Sequence, residues 1–301
     1  MNYIGISAGF HDAAISVVDD HGNILFASHS ERYSKNKHDK DICEELLTDA
    51  LSYTNSELLQ YHYYERPWLK SLRQLRSGEG FTWPTWEKIL GSTYSQMSEP
   101  KIHTHSHHLC HAAAGFQTSP YTRATVVVID AIGEWDTISI WAAEYNKHGR
   151  AKYKKLWGQT YPHSIGLFYS AITKRVGLHP LDEEYITMGM AAWGRTRHHQ
   201  LINDALIQDE QEIKFKHNLH MGVDADFMSG ISNEDIAATA QSLAERLIYN
   251  VMRRARNFGW STNLVYMGGV ALNCLANRNL GEYFENIWIM PCPGDAGSSL
   301  G

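Results

Sequence analysis

Short apolar runs broken by polar turns open the chain. Residues 2–8 (NYIGISA), 13–19 (AAISVVD) and 24–28 (ILFAS) have strand length, and Gly9-Phe10-His11-Asp12 and Asp19-Asp20-His21-Gly22-Asn23 separate them. Such runs joined by short polar turns predict an antiparallel meander. The layout returns at 124–130 (ATVVVID), 137–144 (TISIWAAE) and 151–157 (AKYKKLW), with turns at 131–135 and 146–149. At an offset of 123 residues, Ser7 meets Asp130, Ile15 meets Ile138 and Ser16 meets Ser139. Identity between the copies is weak, so pattern and loop placement carry the duplication. Helical patterning predicts helices over 41–53, 84–97, 164–176 and 233–257, the last with Ile236, Ala240, Leu243, Leu247 and Val251 on one face. Ser106 is placed to cap a helix running to about Gly115, and Ser119-Pro120 would stop its continuation. A buried-type strand at 264–267 (LVYM) is followed by Gly268-Gly269 and a helix from Val270, then a short strand at 286–290.

Composition places the chain among globular proteins. Its 301 residues are 43% hydrophobic and 20% charged, and that length suggests about two domains. We expect a first unit over 1–120, with an aromatic and basic helical insertion at about 55–98, and a second over 121–301. The insertion mixes Tyr61, Tyr63, Tyr64, Trp68, Trp83 and Trp86 with Arg66, Lys70, Arg73 and Arg76. Packing on the main body explains this mixture. A platform for single-stranded nucleic acid would also combine aromatics and cations, but the net charge of -6 disfavours nucleic acid. No apolar run approaches the ~20 residues of a membrane span, so no membrane partner is expected. The N-terminus shows no secretory pattern. The four cysteines form no close-spaced metal pairs and read as reduced thiols of a cytoplasmic protein.

The chemistry concentrates in histidines and strand-end carboxylates. His103, His105, His107, His108 and His111 fall within nine residues. Random placement of 17 histidines gives on the order of one i,i+4 pair, so a single pair carries little and the cluster carries more. His107 and His111 would share one helical face, a two-ligand arrangement for a transition metal; the other reading is a polar helix start. Asp130 ends the apolar run VVVI, and Asp295 lies in Gly-Asp-Ala-Gly after a short strand. Ligands gather at strand ends in open α/β sheets. Two imidazoles and two carboxylates suit Fe(II), Mn(II) or Zn(II), although each aspartate alone also fits a turn or cap. Gly268-Gly269 before a helix would let backbone approach an anion, and tight strand–helix packing explains it equally. His11, in the first hairpin turn, is a candidate general base or a surface histidine. Gly133-Glu134 occupies the equivalent turn of the second copy.

Taken together, these segments resemble the O-carbamoyltransferases of the nodulation and antibiotic-tailoring type. The resemblance rests on Gly5-Ile6-Ser7-Ala8-Gly9-Phe10-His11-Asp12-Ala13-Ala14, the segments 30–39 and 63–67, and His107-His108-Leu109-Cys110-His111-Ala112-Ala113. It continues through 130–135, 164–169, 188–191, Met267-Gly268-Gly269-Val270-Ala271-Leu272-Asn273 and Gly294-Asp295-Ala296-Gly297, in order along nearly the whole chain. It implies an α/β fold of duplicated actin-like (ribonuclease-H-like) subdomains with mixed five-stranded sheets, the second copy incomplete. It implies a divalent transition metal, Fe(II) before Mn or Zn, on His107, His111, Asp130 and Asp295. Contacts to carbamoyl adenylate, formed from carbamoyl phosphate and ATP, would come from Gly133, Glu134, Glu184, Gly268, Gly269 and Asn273, with His11 as base toward a small-molecule hydroxyl acceptor. A threonylcarbamoyl transferase acting on tRNA, or a non-catalytic subunit binding metal or nucleotide, is the alternative. Many members carry Lys at the place of Ile186 and Gly at the place of Ala131. The family's adenylate-forming C-terminal domain lies outside these residues, so a separate partner of that type is expected to supply the intermediate. Asp295 stands six residues from the last one, and chain ends fray unless tied down, so metal binding by these residues alone is expected to be weak.

Overall fold

In β1 (Asn2–Ser7), Ile4 and Ile6 are buried while Tyr3 faces solvent, the period-two pattern of a half-buried strand. β2 (Ala14–Asp19) and β3 (Ile24–His29) extend it as the expected antiparallel meander. The computed structural model describes residues 1–78, 80–97 and 101–301. Beside β1 lies β4 (Leu59–Tyr63), parallel to it, and then β5 (Ile102–Thr104), giving a five-stranded mixed sheet in the order β3-β2-β1-β4-β5. Part of the expected insertion is therefore a sheet strand: Tyr61 and Tyr63 turn into the core and Gln60 and His62 to the other face. The rest of that stretch is helical over Pro67–Ser77, Trp86–Leu90 and Thr93–Gln96. Gly91, at φ +59, separates the last two, where one helix over 84–97 was expected. The expected boundary near 98 lies outside the described residues.

The second sheet repeats this order. β6 (Arg123–Gly133), β7 (Asp136–Tyr145) and β8 (Ala151–Thr160) form the second meander, and β11 (Asn263–Met267) and β12 (Asn286–Ile289) add in parallel, giving β8-β7-β6-β11-β12. This is the second of the two mixed five-stranded sheets that the resemblance implied. A small hairpin of β9 (Ile207–Asp209) and β10 (Lys214–Phe215) stands apart. The helix Asn233–Asn257 buries the predicted face, with Ile236, Ala240, Leu243, Leu247 and Val251 fully enclosed. Ser232 caps it by accepting from Asp235 N, Glu234 and Asp235 occupy its first turn, and Arg254 and Arg256 its last, all favourable to the helix dipole. The helix Ile165–Arg175 is capped by Ser164 in the same way. After Gly268-Gly269 the chain makes a 3-10 turn (Gly269–Leu272) and one helical turn (Cys274–Asn277) rather than the continuous helix expected from Val270.

The chain divides into two compact units. The first comprises Met1–Pro120, Gly133–Trp135 and Met290–Gly301; the second comprises Tyr121–Ile132 and Asp136–Ile289. Residues 290–301 and the β6–β7 turn thus group with the first unit. Each unit has its own apolar core, around Ile4, Ile6, Ile15, Leu46 and Tyr63 in the first and Val127, Ile140, Phe168, Leu247 and Tyr266 in the second. Among the described residues no helix is long and apolar enough to cross a membrane, and all four cysteines are free thiols.

Candidate active site

In the first unit the helix His107–Thr118 begins after Ser106, whose backbone is extended as an N-cap requires. The run HHLCHAAAGF has no charged side chain, and almost all of it is buried. The i,i+4 spacing brings His107 Nε2 and His111 Nε2 to 3.1 Å. Asp295 Oδ1 lies 3.5 Å from the first and 3.3 Å from the second. All three residues are buried. These spacings suit one ion, because ligands about 2.1 Å from a first-row metal lie roughly 3–4 Å apart. Nitrogen and carboxylate donors suit Fe(II), Mn(II) or Zn(II).

Neighbouring groups fix this cluster. A Cβ on Gly133 would stand 2.3 Å from His107 Cδ2 and 2.6 Å from His108 Cδ2, so only glycine lets the β6–β7 turn approach the imidazoles this closely. Glu134 follows at φ +57 and is buried. Its Oε1 accepts from Arg66 N (2.6 Å) and Nε (3.1 Å), and its Oε2 from Arg66 Nη2 (2.8 Å). That bidentate pair holds the turn. Burial, and then Glu134 and Glu65, push the Cys110 thiol up.

The segment carrying Asp295 is also held. Ser298 donates to Asp295 O through its N–H (3.1 Å) and its Oγ (2.6 Å), and Ser16 Oγ donates to Ser299 O at 2.5 Å. A Cβ on Gly5 would fall 1.8 Å from Ser299 O, so β1 is glycine where this segment crosses it. The fraying expected after Asp295 is not what the structure has: Gly297, Ser298 and Ser299 are buried in the first unit.

His11 stands on the same side, its Nε2 3.9 Å from Asp295 Oδ2. Asp12, at φ +52, bridges two imidazoles: Oδ2 lies 2.9 Å from His11 Nδ1, and Oδ1 2.9 Å from His38 Nδ1. Burial pushes the Asp12 carboxyl up, but hydrogen bonds and charge from His11 and His38 outweigh it and hold it below its ordinary value. The Asp12–His38 pair went unseen in the sequence, where 26 residues separate them. The five-histidine cluster divides: His103 and His105 face His62 on β4, with His62 Nδ1 2.9 Å from His105 Nε2 and the His103 ring stacked at 5.3 Å.

In the second unit, Asp130 is buried near the end of β6, and its Oδ1 accepts from Ala131 N (2.8 Å) and Gly269 N (3.3 Å). Gly268 has φ +90, and a Cβ there would lie 2.2 Å from Ile129 O. Tight packing on β6 thus accounts for Gly268, while Gly269 turns its N–H to the carboxylate. Asn273 caps the turn after it through Ala276 N (3.1 Å). It also pairs reciprocally with Gln241 (2.9 and 3.0 Å), whose Oε1 further accepts from Tyr169 Oη (2.7 Å). Glu184 Oε1 accepts from Ser170 Oγ (2.6 Å) and Leu181 N (2.7 Å). Gln241 was not anticipated, since it lies in no motif, and Tyr169, the last residue of the segment 164–169, carried no role there. Ile186 is half-buried within the helix Glu184–Met190. Ala131 packs tightly: a Cβ on Gly166 would lie 2.7 Å from its Cα.

The profile described as Carbamoyltransferase N-terminus matches residues 60–301. The chain belongs to this carbamoyltransferase N-terminus family. It is 29% identical over 99% of its length to the uncharacterized protein sll1178 of Synechocystis sp., covering 55% of that protein. It is 24% identical over 97% of its length to the nodulation protein NolNO of Sinorhizobium fredii, covering 45% of it. The chain thus spans about half the length of these relatives. Two solved structures share its fold. The activator of the 2-hydroxyisocaproyl-CoA dehydratase from Clostridium difficile with bound ADPNP has a TM-score of 0.52 at 13% identity, covering all of this chain and 92% of that one. T. kodakarensis HypF has a TM-score of 0.54 at 13% identity, covering 99% of this chain and 46% of that one. The duplicated α/β fold of this family member is accordingly actin-like.

Proposed function

We propose that this carbamoyltransferase-family chain is the transfer half of an O-carbamoyltransferase, moving a carbamoyl group from carbamoyl adenylate to a hydroxyl of a small molecule. The observation that carries this reading is the buried set of His107 Nε2, His111 Nε2 and Asp295 Oδ1, 3.1–3.5 Å apart, with His11 adjoining it. The donor set fits a divalent transition metal, Fe(II) before Mn or Zn, and the family resemblance adds Asp130. Such an ion would supply Lewis acidity toward a carbonyl oxygen.

His11 acts as the base. Its Nδ1 faces the Asp12 carboxylate, which fixes the ring and favours the proton on Nδ1, directing the Nε2 lone pair toward the acceptor. The acceptor hydroxyl gives its proton to His11 Nε2 as its oxygen attacks the carbamoyl carbon. The carbon–oxygen bond to the adenylate phosphate breaks and AMP departs with that electron pair. In the second unit, Gly269, Asn273 and Glu184 contribute to holding the nucleotide. The side chains of Asn273 and Glu184 are already hydrogen-bonded internally, so they set the shape of the backbone the nucleotide meets. Glu134 is likewise occupied by Arg66 and positions its turn. Preformed carbamoyl adenylate, or a C-terminal portion of a relative supplied in trans, is the donor source we expect to support turnover. The test is carbamoyl transfer from such a donor to a panel of hydroxyl compounds. His11→Ala is expected to lower kcat by about 10²-fold or more with metal content unchanged. Full activity in His11→Ala would remove the base from the mechanism.

A further inference from the structure

A second group of ligand-type side chains lies in the first unit, assembled from the first hairpin turn and the end of β3. Asp12, His29 and Glu31 each present one ligand atom, and these atoms lie within 4.8 Å of one another. His29 is the last residue of β3, and Glu31 opens the short helix Glu31–Ser34. Ser30 between them is fully buried, which holds that corner. Asp12 has φ +52, in the left-handed region that aspartate enters more readily than most non-glycine residues.

The three side chains are half-buried. His29 Nδ1 is buried with no hydrogen-bond partner among the described residues, and an unpaired ring nitrogen out of water is costly. Two carboxylates at this separation repel each other unless a positive charge stands near them. His38 braces both, through its ring to Asp12 Oδ1 (2.9 Å) and its backbone N–H to Glu31 Oε2 (3.2 Å). Those bonds fix the carboxylates and leave further lone pairs for a cation, the usual outer-shell arrangement around a metal.

We propose that Asp12, His29 and Glu31 form a second divalent-cation site, separate from the histidine helix. One imidazole and two carboxylates select Mn(II) or Zn(II) over a soft ion such as Cu(I), and over Ca(II), which takes oxygen donors. Ligands about 2.1 Å from such an ion stand roughly 3–4 Å apart, so binding draws the three side chains together by a few tenths of an ångström or more. The proposal does not depend on carbamoyl transfer or on the ion at His107 and His111.

The test is an Mn(II) titration of the full chain followed by electron paramagnetic resonance, with Zn(II) competition. Wild type should show two classes of bound ion. His107→Ala with His111→Ala should remove one class, and His29→Ala or Glu31→Gln should weaken the other at least tenfold. A second measurement avoids opening the core. In wild-type protein, low Mn(II) should broaden the His29 ring signals in a proton NMR spectrum, and Glu31→Gln should abolish that broadening. Equal Mn(II) binding in wild type, His29→Ala and Glu31→Gln, or unbroadened His29 signals in wild type, would overturn the second site.

Discussion

The two units share a sheet order and differ in what stands at their strand ends. In the first, the turn after β1 and the helix after β5 carry imidazoles and a carboxylate: His11, Asp12, His107 and His111. In the second, the turn after β11 carries Gly268, Gly269 and Asn273, groups that approach or hydrogen-bond without ionising. One sheet order used twice thus carries different side chains in its short loops. The charged and imidazole-rich side is braced by side chains from distant segments, such as Arg66 on Glu134 and His38 on Asp12. The amide-rich side is braced by backbone fit, such as Gly268 against Ile129.

Damage to one side should therefore leave the other unchanged. The largest effect is expected from His107→Ala with His111→Ala. Elemental analysis should show metal content fall by about one equivalent, with AMP affinity by calorimetry unchanged. Equal metal in the variant would remove the site. Next comes Gly268→Ala, where both φ +90 and the clash with Ile129 O oppose a side chain; we expect a loss of roughly 3 kcal/mol or more in urea unfolding. Gly269→Ala, whose nearest atom would be Asp130 Oδ1 at 3.2 Å, should cost clearly less. An equal loss at both glycines would contradict the packing argument. Third, Gln241→Leu leaves Asn273 and the Tyr169 hydroxyl without their shared partner, and should cost about 1–3 kcal/mol and weaken AMP binding while metal content stays constant.

The smallest effect concerns pH. Burial, then the charges of His105 and His103, push His62 down to about 4. Its folded form therefore resists protonation while the unfolded chain takes up a proton near pH 6.5. Stability should be unaffected above that value and fall as the pH drops from about 6.5 toward 4, by on the order of 1 kcal/mol once solvent screening of this half-buried group is allowed for. His62→Gln should flatten the slope. Urea midpoints at pH 7.5 and 5 measure it, and an unchanged slope in the variant would assign the dependence elsewhere.

Much of the fold was legible because strand alternation and helical periodicity are local. The meanders 2–28 and 124–157 and the helix 233–257 were all expected close to where they occur. β4 was not, because LQYHY alternates tyrosine with Gln60 and His62, and the flanking aromatics and cations hid a period of two. β5 has only three residues, too few for a pattern. At the site, His107 and His111 declared themselves by spacing. Arg66 with Glu134, Asp12 with His38, and Gln241 with Asn273 did not, since each pair is made by tertiary folding across 26 to 68 residues. A lone arginine or glutamine carries no mark of its partner.

The pairing of Ser16 with Ser299 joins residues 283 positions apart. During synthesis, β1 and β2 leave the ribosome before the second unit, yet the strip that covers Gly5 and delivers Asp295 follows it. The first unit must therefore wait, with an open slot along its sheet, while the whole second unit is translated. Contacts so distant in sequence form slowly, and an uncovered slot is a place for another chain to bind in the meantime. Nascent chains stalled before codon 290 should be more readily captured by chaperones than chains from which residues 290–301 have emerged.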